Sequence, residues 1–179
     1  MPQAIATLLN ARWIIPVEPD GLILEHHALA IQDGRIVAIL PQDEAAARFT
    51  PTTCLNLDRH ILIPGLINAH THASMVLLRG LADDLPLMSW LQNHIWPAEA
   101  RWVSPDFVRD GARLAIAEML RGGTTCFNDM YFFPEVTAAV ARDCGIRACI
   151  GLIALDFPTA YARDLDEYLS KGLALRETL

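Results

Sequence analysis

Ile146 to Leu155 (IRACIGLIAL) is a nearly unbroken apolar run carrying a single charge, Arg147. A strand without polar alternation suits a parallel sheet covered on both faces by helices. Two further strands precede it. Thr124 to Asp129 (TTCFND) is short and β-rich, and Ile61, Leu62, Ile63, Leu66 and Ile67 form an apolar lead into a first strand. Helical signals separate the three. Ser104-Pro105-Asp106 supplies an N-cap, a proline at the first helical position and an acid in the first turn, and Gly122-Gly123 stops that helix. Pro134 opens a second helix to Asp143, ended by Gly145, and a third runs on to Leu179 with Glu167 four residues before Lys171. Strand and helix in alternation predict a parallel α/β fold. Pattern alone leaves a closed barrel and an open doubly wound sheet as alternatives. The absence of G-x-G-x-x-G and G-x-x-x-x-G-K-[ST] removes the best reason to prefer a nucleotide-binding sheet.

The first 60 residues read differently. Residues 4–17 are apolar and partly β-branched, one or two short strands closed by Pro16. Asp33-Gly34 between two alternating apolar runs is a strong hairpin signal. Gln42 to Arg48 is built of helix formers, and Leu55 and Leu57 alternate with polar neighbours. Residues 1–60 are therefore expected to form a small antiparallel β unit, and residues 61–179 the α/β part. His26 and His27, adjacent in a strand, would face opposite sides and suit surface or structural roles. His60 reads as structural too.

Composition narrows the function. Lys and Arg total 14 against 21 Asp and Glu, a net charge of −7, which argues against a nucleic-acid-binding surface. No apolar run approaches the roughly 20 residues that cross a bilayer, and no basic-then-apolar leader opens the chain. The four cysteines lack C-x-x-C spacing. They read as reduced thiols, with Cys126, Cys144 and Cys149 as small core residues. These features predict a soluble, cytoplasmic protein without nucleic-acid or membrane partners.

The chemistry gathers at Pro64-Gly65-Leu66-Ile67-Asn68-Ala69-His70-Thr71-His72. Residues i and i+2 of a strand share a face, so His70 and His72 would project side by side. Two converging imidazoles suit zinc and similar metals. An isolated H-x-H is ordinarily one solvated and one hydrogen-bonded histidine. Here the apolar strand and the Pro-Gly corner before it favour the metal reading. Downstream, Leu87, Met88, Leu91 and Ile95 fit one helix face, which Trp96-Pro97 is expected to end. Trp90 on that helix reads first as core, and Glu99 as an ordinary acid near a helix start. His94, one turn from Trp90, reads as solvated. Asp129, at the end of the second strand, reads as a turn acid, with a supporting role behind the histidines as the alternative.

PGLINAHTH followed by RGLADDLPLMSWL and WPAE resembles the amidohydrolase superfamily, in its nucleobase and triazine aminohydrolase branch. Within that branch the chain is similar to the 5-methylthioadenosine/S-adenosylhomocysteine deaminases. The resemblance implies a (β/α)₈ TIM barrel, of which residues 61–179 would be the first three βα units, with residues 1–60 the N-terminal part of a β-sandwich domain. A complete barrel takes about 250 residues, so the rest would lie beyond Leu179. It also implies a hydrolytic deaminase of an adenosine-type nucleoside, with one Zn²⁺ or another divalent ion such as Fe²⁺ per site. His70 and His72 would be metal ligands, and Glu99 and Trp90 substrate-binding, the carboxylate on the ribose hydroxyls and the indole on the purine or thioether. No catalytic residue is assigned within the chain. The proton-shuttling glutamate, two further histidines and a metal-binding aspartate would follow Leu179, since no histidine occurs after His94. The resemblance thus implies a homodimer for the complete enzyme and an inactive 179-residue chain. Other readings are an aminohydrolase of guanine, a pyrimidine or a chlorotriazine, and a short chain without catalysis serving as a binding module.

Overall fold

At Asp33-Gly34 both residues take positive φ (52° and 70°) and Gln32 pairs with Arg35 across the turn. That is the two-residue hairpin geometry the dipeptide favours, because its twist matches that of the flanking strands. The computed structural model describes residues 2–178. The chain divides into two compact units, Met1–Pro64 and Gly65–Leu179.

The first unit holds β1 (Gln3–Ile14), β2 (Leu24–Gln32), β3 (Arg35–Pro41), the short helix α1 (Gln42–Arg48) and β4 (Phe49–Leu62). Its sheet runs β3-β2-β1-β4. The expected all-antiparallel unit is corrected here. β1 pairs antiparallel with β2 but parallel with β4, from Gln3 beside Phe49 to Ile14 beside Leu62. The reason is α1: it carries the chain back between β3 and β4, so β4 enters in the direction of β1. β4 is also much longer than the Leu55–Leu57 alternation suggested. It is an edge strand, which is why it tolerates Pro51. Ala28 and Ala30 join Ile5, Leu8, Ala45 and Phe49 in one buried cluster, while Leu29 between them joins Ala11 and Ile14 in another.

The second unit is the α/β part. β5 (Leu66–Thr71), β6 (Thr124–Met130) and β7 (Arg147–Gly151) form a parallel sheet in the order β5-β6-β7. α4 (Pro105–Arg121) and α5 (Pro134–Cys144) are the crossovers. Ser104 caps α4 by accepting from the Phe107 N–H at 3.2 Å, and Gly145 ends α5 at φ 71°. Ala112, Ala115 and Ile116 of α4 meet Val140 and Ala141 of α5 over Phe127, which is fully buried. Two expectations change. β7 stops at Gly151, half the predicted run, and its residues alternate between exposed and half-buried. Leu152 to Leu155 leave the sheet, and Ile153 packs instead with Tyr161 and Tyr168. Cys144 and Cys149 are exposed and Cys126 half-buried, because Cys144 ends a helix and Cys149 points away from the core. The last helix, α6 (Leu165–Arg176), begins where Asp164 accepts from the Glu167 N–H at 2.9 Å. Leu179, where the sequence extends it, lies outside the described residues.

Between β5 and α4 the chain makes a 3₁₀ segment (Ala73–Leu78), α2 (Leu87–Trp90), a π-helical turn (Leu91–Ile95) and α3 (Trp96–Trp102). Trp96-Pro97 thus does not end the helix. A proline ring would collide with the carbonyl four residues back in a regular α-helix. The π turn widens the spiral ahead of Pro97, and the helix continues through it.

Candidate functional site

His70 lies on β5 and His72 one residue past its end, at the C-terminal edge of the parallel sheet. Their ring centroids are 5.0 Å apart with planes at 77°. Two imidazoles bound through nitrogen at about 2.1 Å to one tetrahedral zinc have centroids roughly 5 Å apart, so the pair fits a shared ion. The His72 ring is held by a hydrogen bond from Nδ1 to the Met130 carbonyl, at 2.6 Å. A carbonyl oxygen only accepts, so Nδ1 carries the proton and Nε2 keeps its lone pair. That is the tautomer a metal-binding histidine needs. Among the described residues no third histidine, cysteine or carboxylate completes a metal cluster.

Behind the histidines sits Asp129, 2% exposed. Its Oδ1 accepts from the Ala73 N–H at 2.7 Å and from the Thr71 hydroxyl at 2.8 Å. Those two groups flank His72 on either side in sequence. Burial pushes the Asp129 carboxyl upward in pKa, and the hydrogen bonds from Ala73 and Thr71 and the nearby His72 act against that rise. Ser74, also fully buried, ties the same segment to α4 through its hydroxyl and the Val108 carbonyl, 3.0 Å apart.

A cleft of about 880 Å³ opens beside His72. Its walls are mostly apolar: Met75, Leu87, Trp90, Leu91, Ile153 and Phe157 among others. Glu99 and Tyr131 bring polar atoms into it, and the Tyr131 hydroxyl donates to Glu99 Oε1 at 2.8 Å. Burial raises the Glu99 pKa, while the Tyr131 hydrogen bond and the nearby His72 oppose the rise. The π turn bears on this arrangement. At about 100° per residue, the nine positions from Trp90 to Glu99 would set them on opposite sides of an α-helix. One π turn absorbs about one residue, which leaves them roughly 80° apart. Both then face one cleft.

The sequence pattern of the amidohydrolase family matches residues 61–179. The chain belongs to the amidohydrolase family. It is 52% identical over 170 residues to a 5-methylthioadenosine/S-adenosylhomocysteine deaminase of Saccharophagus degradans, covering 95% of this chain and 38% of that protein. This amidohydrolase chain therefore spans about two fifths of the length of the curated relatives it matches. An adenosine deaminase from Xanthomonas campestris, solved with bound zinc, superposes with a TM-score of 0.98 at 51% identity, over 99% of this chain and 40% of that one. The atrazine chlorohydrolase of Arthrobacter aurescens, at 24% identity and a TM-score of 0.80 over 96% of this chain and 42% of that one, shares the fold.

The structure brings His72, Trp90 and Glu99 of this amidohydrolase to one cleft and stands His70 beside His72. His94 does not line it. Arg79 is turned to α4, where it pairs with Glu118 at 2.6 and 3.1 Å. Asp129 is more than a turn acid, since its carboxylate braces the segment holding His72. Tyr131 and the Met130 carbonyl carry no sequence signal for their part: tyrosine in a Tyr-Phe-Phe run reads as core, and every residue has a carbonyl.

Proposed function

We propose that this chain supplies the histidine pair and the ribose-binding carboxylate of a metal-dependent deaminase. Its substrate is an adenosine-type nucleoside, 5′-methylthioadenosine or S-adenosylhomocysteine, and its products are ammonia and the inosine-type nucleoside. The observation that carries this is the convergence of His72, Trp90 and Glu99 on one largely apolar cleft. The deaminase names of the relatives and the zinc in the Xanthomonas campestris structure support it. In this reading β5, β6 and β7 are the first three strands of a (β/α)₈ barrel, and residues 1–60 begin a β-sandwich domain. The whole protein is a cytoplasmic homodimer.

His70 and His72 hold one divalent ion, zinc or Fe²⁺, with His72 presenting Nε2. When bound there, such an ion would supply Lewis acidity for the activation of water near neutral pH. Glu99, an acceptor-only group when ionised, takes the two vicinal ribose hydroxyls. Trp90 and its apolar neighbours cover the base and the thioether, whose apolar surface gains from burial. Two imidazoles leave a tetrahedral ion half coordinated. Residues 1–179 alone therefore bind zinc weakly and do not turn over.

The test is turnover by the whole gene product, zinc-loaded, read as ammonia release from 5′-methylthioadenosine, S-adenosylhomocysteine and guanine and as chloride release from a chlorotriazine. Deamination of the two nucleosides, with His72→Asn lowering both zinc content and rate by at least a hundredfold, is expected. Turnover of guanine or the triazine alone would overturn the reading, because those substrates present no diol to Glu99.

A further inference from the structure

Tyr131 is 5% exposed, with its ring packed beside Val103 and Val108. A phenol this deep in a core ordinarily finds a partner for its hydroxyl. Here that partner is Glu99 Oε1, 2.8 Å away and 32 positions earlier in the chain. Among the described residues this is the only side-chain hydrogen bond Glu99 makes. Glu99 rides on α3, a helix of seven residues directly after the π turn, so its backbone alone does not fix where the carboxylate points.

We propose that Tyr131 is a positioning residue for nucleoside recognition: its O–H anchors Glu99 Oε1 and turns the rest of the carboxylate toward the vicinal hydroxyls of the substrate. The inference rests on the ribose reading of Glu99 given above. An ionised carboxylate offers about four lone-pair sites. Tyr131 occupies one, and three remain for two incoming hydroxyls. Burial, with the Glu99 charge next, raises the phenol pKa well above its ordinary value, so the group stays a donor at every working pH. The ring also stands 6.4 Å from that of His72, centroid to centroid. One side chain thus borders both the metal end and the ribose end of the cleft.

The test uses the zinc-loaded whole gene product and two substrates, 5′-methylthioadenosine and its 2′,3′-dideoxy counterpart. Tyr131→Phe keeps the packed ring and removes only the donor. It should lower kcat/KM for the ribonucleoside about tenfold, chiefly through KM, and leave the dideoxy substrate unchanged. In a Glu99→Ala background, Tyr131→Phe should cost nothing further, as for two residues that act as one unit. Equal losses on both substrates, or losses that add in the Glu99→Ala background, would overturn the proposal and make Tyr131 a packing residue. If Glu99→Ala alone lowers both substrates equally, the ribose reading itself falls, and that result needs no Tyr131 variant. The unchanged dideoxy rate is the internal check that Tyr131→Phe is folded.

Discussion

Asp129 supports the histidine pair through Thr71 and Ala73 rather than through a hydrogen bond to either ring. Its Oδ1 holds the Ala73 N–H and the Thr71 hydroxyl, so the residues on both sides of His72 are tied to one oxygen atom. Removing it strands a buried N–H, which costs about 1–3 kcal/mol. Asp129→Ala should lower stability by about that much and weaken zinc binding tenfold or more, as loss of a group that orients a ligand does. Asp129→Asn should retain most of the stability, because an amide oxygen can still accept both bonds. Urea denaturation and competitive zinc titration measure the two effects; an Asp129→Ala protein as stable as its parent would refute this account of the carboxylate. The same scale marks what the sequence could disclose. His70 and His72 are legible because H-x-H on a strand has a geometric meaning. Glu99 and Trp90 drew a role only from family resemblance. Tyr131 was not legible, since its partner lies far along the chain and no spacing rule connects them.

At the scale of elements, the site depends on how closely α4 approaches the 3₁₀ segment after His72. Gly111 on α4 is buried, and a Cβ there would lie 2.6 Å from the Ser74 carbonyl oxygen and 2.8 Å from Ser74 Cα. Both are backbone atoms and cannot rotate away. Helix propensity favours alanine over glycine by about 1 kcal/mol, yet overpacking of this kind costs about 1–3 kcal/mol, so the clash should win. Gly111→Ala is expected to lower the melting temperature and the zinc affinity together, since Ser74 is two residues from His72. A variant with unchanged thermal unfolding and zinc titration would mean that α4 yields freely. The elements themselves were largely readable: the Ser104 cap, the Gly145 stop and the Asp33-Gly34 hairpin are local chemistry. What was missed is non-local. The parallel β1–β4 pairing depends on where α1 returns the chain, and the π turn reconciles Pro97 with a helix that packing keeps going.

On the scale of the whole molecule, the second unit carries a large exposed apolar surface. Ile67 is 72% exposed on the edge strand β5, and Leu165, Leu169 and Leu173 lie exposed at four-residue spacing on α6. An open strand edge beside such surface invites association. Residues 1–179, prepared as such, should elute well above 19.8 kDa and bind an apolar dye, and Ile67→Lys with Leu169→Glu should reduce both signals. Elution as a dye-silent monomer would contradict this. The positions of the site residues along the chain have a further consequence, in time rather than space. The histidine pair, Trp90, Glu99, Asp129 and Tyr131 all lie within residues 70–131, on β5, on β6, on the segments joining them and one residue past β6. A ribosome adds roughly 5–20 residues per second. By the time α5 is being made, all of these side chains have already been synthesised, and β7 and the cleft residues after it meet a half-built site rather than create one.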